Sequence, residues 1–101
     1  MIEEAYKFTF EKRVSLSDAV ESLYLAIFSA EGLHGRAQVR LDAGYALDEA
    51  QRRLVVAAGS AVGRTVAQIF TGLLGRQFGE NAFTVEHVFG GQPAGIGGRY
   101  P

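Results

Sequence analysis

Cysteine is absent from this 101-residue chain. Disulfides, zinc–thiolate sites and iron–sulfur clusters are therefore excluded, and a reducing compartment suits the composition. An excess of charge is missing too. Ten basic and eleven acidic side chains leave a formal net charge of −1, which does not describe a surface built to hold a polyanion. No stretch reaches the roughly 18 uninterrupted apolar residues of a membrane span. The opening Met1-Ile2-Glu3-Glu4 lacks the basic-then-apolar order of a secretory signal, so a cytoplasmic setting is the default expectation. Both prolines lie in the last stretch, residues 90–101, together with five glycines. That stretch cannot bury enough to order itself and reads as a flexible tail.

What remains, residues 1–89, reads as one domain. Hydrophobic residues make up 48% of the chain and charged residues 21%, a globular balance. Residues 5–14 alternate, with Tyr6, Phe8, Phe10 and Val14 on one parity and Lys7, Thr9, Glu11 and Arg13 on the other. That is a strand with one face buried. Ser15 and Asp18 fit a capping box. Leu16, Ala19, Val20, Leu23, Tyr24, Ile27 and Phe28 then follow at helical spacing, with Gly32 and Gly35 as terminators.

Residues 36–46 alternate again through Ala37, Val39, Leu41, Ala43 and Tyr45, and residues 52–58 through Leu54, Val56 and Ala58. Together they read as a hairpin. Leu47, Ala50, Gln51 and Leu54 also have helical spacing, which leaves a short helix over 47–55 as the alternative. Ser60 caps a further helix to about Phe78, stopped by Gly79. Gly63, Gly72 and Gly75 inside it each cost roughly 1 kcal/mol against alanine. Close packing against the sheet or a second copy would account for them. Residues 82–89 close the domain as a strand.

Two strand–helix–strand units joined by a hairpin give an α+β fold of order β-α-β-β-α-β, the ferredoxin-like plait. A four-stranded antiparallel sheet would carry two helices on one face. The opposite face would present Lys7, Thr9, Glu11, Gln38, Arg40, Asp42, Arg53, Val55, Ala57, Thr84, Glu86 and Val88. It has no aromatic side chain. Plaits that bind RNA stack bases on rings displayed there, so nucleic acid is not the expected partner.

The sharpest local motif is Ala58-Gly59-Ser60-Ala61-Val62-Gly63-Arg64-Thr65, after a strand and at a helix start. It has the outline of a phosphate-binding loop. Arg64 stands where lysine is needed and Ala58 where the first glycine would be. A capped helix start with small packing residues is the plainer account, and an anion held by Ser60, Gly63, Arg64 and Thr65 is the surviving functional one. His34, near Glu31, and His87, beside Glu86, are the two histidines. Neither has metal-ligand spacing. No metal, cofactor or catalytic residue is assigned.

Three functions follow in order. The first is a non-enzymatic module acting by self-association or protein binding, through Lys7, Gln38, Arg40, Arg53, Val55, Glu86 and Val88 on the open face. Leu25, on the polar side of the first helix, and the tail ending Arg99-Tyr100-Pro101 are further contacts. The second is a sensor or carrier of a small anion at Ser60–Thr65. The third is an enzyme using a histidine–carboxylate pair.

Overall fold

The computed structural model describes residues 4–89. Strand β1, Glu4–Phe10, keeps the alternation expected of it, with Phe8 and Phe10 buried and Tyr6 half-buried. Ser15 caps α1, Leu16–His34, its Oγ accepting from the Asp18 amide at 3.3 Å. Gly35, at φ +84°, ends the helix in a conformation that a side chain resists.

Of residues 36–46, expected as a strand, only Tyr45 and Ala46 join one. Arg36–Asp42 is a short helix, α2, with Gln38 Nε2 donating to Asp42 one turn on at 2.6 Å. The physical reason lies in residue type. Arg, Ala, Gln and Leu are good helix formers, and the alternating apolar positions never share a buried face. Val39 is buried, while Leu41 is 79% exposed. The hairpin survives with a later first strand: β2 is Tyr45–Asp48 and β3 is Arg53–Ala57. No helix forms over 47–55.

Ser60 caps α3, Ala61–Phe78, accepting from the Gly63 amide at 3.0 Å, and Gly79 at φ +91° stops it. A 3-10 turn, Glu80–Ala82, leads into β4, Phe83–Phe89. The result is α+β: one four-stranded sheet in the order β2-β3-β1-β4, with three helices. All of its strand pairs are antiparallel.

Helices α1 and α3 pack along each other over the ring-bearing side of the sheet. Phe8 meets Phe70 edge-on at 4.8 Å between ring centroids, with Leu23, Leu54, Val56 and Leu74 around them. Burying each such side chain contributes about 1.5–3 kcal/mol. No helix among the described residues is long and apolar enough to cross a membrane. Residues 90–101, expected as a tail, lie outside the described residues, as do residues 1–3.

Candidate functional site

The structure sorts the sequence candidates into three places. On the open sheet face, register puts Lys7 directly opposite Glu86 on one side and Val55 on the other. The Lys7 ammonium lies 3.4 Å from the Glu86 carboxylate. Arg53 and Val88 share this face by alternation. Gln38 and Arg40 do not: they sit on α2, and the second strand contributes Ala46 and Asp48 instead. Asp42 is likewise on α2. Glu11 lies beyond the end of β1 and pairs with Arg13 at 3.1 Å. Glu11, Asp42 and Glu86, all expected on the open face, are thus dispersed.

The second place is the start of α3. Ser60 Oγ is engaged as the cap, and Gly63 is pressed against the end of β3, so neither opens to a ligand. Arg64 and Thr65 do. With Tyr6 of β1, Val85 of β4, and Gln68 and Thr71 of α3, they line a half-open groove of about 710 Å³ between α3 and β4. Thr65 Oγ1 is 2.9 Å from His34 Nε2, which ties α1 to the same turn. Arg64 Nη1 reaches the Ala58 carbonyl at 3.4 Å, a long contact.

His87 lies directly opposite Tyr6 on β4. Its partner is Glu4 at 2.6 Å, not neighbouring Glu86, because consecutive strand residues point to opposite faces. Its ring stacks on Tyr6 at 4.4 Å and leans on Phe89 at 4.5 Å. The Glu4–His87–Tyr6 cluster was invisible from local sequence. The parity of β4 already placed His87 with Phe83 and Val85, but only the pairing of β1 with β4 supplies Glu4 and Tyr6.

Comparison with family models, curated proteins and solved structures finds no match for this chain. Among the described residues, no three histidine, aspartate or glutamate side chains gather as metal ligands would.

The third place was not singled out from the sequence. Tyr24 and Phe28 lie one turn apart on the outer flank of α1, and Tyr45 and Leu47 share the helix-side face of β2. The Tyr24 and Tyr45 hydroxyls are 2.9 Å apart and their rings meet edge-on at 6.0 Å. All four side chains are exposed, Phe28 to 70%. Tyr24 and Phe28 were read as the buried stripe of α1. The stripe instead turns toward Ala19, Leu23, Ala26 and Ala30, because small alanines let α3 approach closely.

The hydrogen bond to Tyr24, and then partial burial, raise the Tyr45 phenol above its ordinary value of 10.0. A raised folded-state value means that this contact stabilises fully below about pH 10 and is lost as pH rises through the folded value. An ultraviolet titration of tyrosine ionisation should show one delayed phenol, and Tyr45→Phe should abolish the delay. Identical titrations of the two proteins would contradict it.

Proposed function

We propose that this chain is a non-enzymatic assembly module that pairs with a second copy of itself along β2 and the aromatic rim above it. The observation that carries this reading is the rim of Tyr24, Phe28, Tyr45 and Leu47 beside an edge strand. Among the described residues β2 pairs only with β3, so its outer row of N–H and C=O groups is open to another strand. Edge strands are normally guarded by charge. Here Tyr45-Ala46-Leu47-Asp48 offers one carboxylate. The other edge, β4, carries Glu86 and His87.

A second copy is the fitting occupant. An antiparallel pairing of β2 with itself about a two-fold axis sets the rim against the same rim. The rim's four side chains are uncharged, so they offer nothing that would select a partner of opposite charge. The open face, with Lys7, Arg53, Val55, Glu86 and Val88, is the subordinate contact surface of this reading. A cytoplasmic setting belongs to it as well, in keeping with a cysteine-free chain.

The fold within this reading is a ferredoxin-like plait with α2 inserted before its second strand. Support comes from the order β4-β1-β3-β2 counted from the β4 edge, the antiparallel pairs, and α1 and α3 on one face.

Sedimentation and light scattering over a range of concentrations test the association. A dimer is expected. Phe28→Glu should weaken it by roughly 30-fold, the scale of an interface hot spot near 2 kcal/mol, without touching the core. Leu33→Glu, half a turn round the helix from Tyr24 and also exposed, should leave it intact. A strict monomer, or a dimer broken by Leu33→Glu but not by Phe28→Glu, refutes the reading.

A further inference from the structure

The groove between α3 and β4 has the size of a small-ligand site, which typically spans about 300–1,000 Å³. Its two sides differ in chemistry. The floor is the Tyr6 ring and Val85, the latter 40% exposed although it lies on the ring-bearing side of the sheet. The wall is α3, offering the Arg64 guanidinium, the Thr65 and Thr71 hydroxyls and the Gln68 amide.

Charge decides what such a groove accepts. Arg64 has no carboxylate within ion-pair distance among the described residues. The one hydrogen bond its side chain makes among the described residues, to the Ala58 carbonyl at 3.4 Å, is long enough to be exchanged readily. Glu4, on the same face of β1 as Tyr6, is occupied by His87 at 2.6 Å. Thr71 and Val85 also line a second hollow of about 540 Å³, whose lining includes one residue of each charge, Arg76 and Glu80. One unmatched positive charge thus stands over a flat apolar floor.

We infer that this groove binds a small organic monoanion, a carboxylate on a flat apolar body, with Arg64 holding the carboxylate and Tyr6 and Val85 receiving the body. The guanidinium fork suits a planar carboxylate better than a point cation would. The amide of Gln68 completes the polar side, while the Thr65 hydroxyl is engaged by His34 at 2.9 Å and the Thr71 hydroxyl donates to the Ala67 carbonyl at 2.7 Å. The site stands apart from the β2 rim, so it can be filled whether or not the chain is paired.

Benzoate is the probe. Titrated into the full chain, it should shift the backbone amide resonances of Tyr6, Thr65, Gln68 and Val85, with a dissociation constant on the order of 1 mM for so small a ligand. Arg64→Ala, at an exposed position, should weaken binding at least tenfold. Benzamide, which has the same shape and no charge, should bind at least tenfold more weakly than benzoate. No localised shifts, unchanged binding by Arg64→Ala, or equal binding of benzoate and benzamide would each overturn the inference. So would inorganic phosphate moving only the Ser60–Thr65 amides while benzoate leaves Tyr6 and Val85 still, because that result describes a bare anion at a helix start.

Discussion

Gly63→Ala is expected to cost about 3 kcal/mol and to lower the melting temperature by roughly 15 °C, at the upper end of what overpacking does. A Cβ at this position would lie 2.2 Å from the Ala57 carbonyl oxygen, and 3.0 Å from the Ala57 carbonyl carbon and the Ala58 Cα. All three are backbone atoms. No rotamer change relieves them, so the first turn of α3 must lift from the end of β3. The same substitution at Gly72 has the opposite sign. Nothing stands within 4 Å of a Cβ there, and the helix interior gains from alanine by about 0.5–1 kcal/mol. Thermal unfolding of the two variants decides the matter. Equal effects would show that α3 does not seat on β3 through Gly63. Because Arg64 and Thr65 sit on that same first turn, Gly63→Ala should also disturb the groove, whereas Gly72→Ala should leave it unchanged.

The contrast between these glycines marks where local sequence stops being informative. Three glycines inside one apolar helical stripe look alike as letters. Only the approach of β3 separates Gly63 from Gly72. The buried sides of β1, α1 and α3 were legible because their periodicities are long and their caps, Ser15 and Ser60, are explicit. The stretch from Arg36 to Asp42 was misread because alternation of apolar and polar residues is compatible with a short helix when the residues are strong helix formers. That error moved Gln38 and Arg40 off the sheet and hid β2, and with it the Tyr24–Tyr45 contact. The groove was half legible. Arg64 and Thr65 belong to a motif that stands out in the sequence, but Tyr6 and Val85 reach them only through strand pairing. No residue pattern spells that out.

Arg52→Ala should be almost as damaging, at about 3 kcal/mol, and for a reason no charge count suggests. Arg52 is a clamp. Its Nη2 donates to the Glu11 carbonyl at 2.9 Å and to the Val14 carbonyl, and its Nε reaches the Phe10 carbonyl at 3.4 Å. Its own carbonyl accepts from the Phe10 amide at 2.9 Å. The β2–β3 turn is thereby fastened to the end of β1 and the start of α1. Hydrogen bonds from a charged donor contribute roughly 1.5–3 kcal/mol each, and several are lost together. Arg52 also sits at φ +56°, left-handed for a residue with a side chain. Alanine keeps that strain, whereas glycine removes about 1 kcal/mol of it. Arg52→Gly should therefore be milder than Arg52→Ala by about that amount, although glycine is ordinarily the worse choice inside a structured segment. Chemical denaturation of the pair measures the difference directly. If both variants unfold like the parent, the guanidinium contacts carry no stability. If glycine is the worse of the two, the strain assigned to Arg52 is wrong. Because this clamp holds the hairpin bearing Tyr45 against the helix bearing Tyr24, its loss should also loosen the aromatic rim, and self-association should weaken in Arg52→Ala more than in an equally destabilised core variant such as Leu74→Ala.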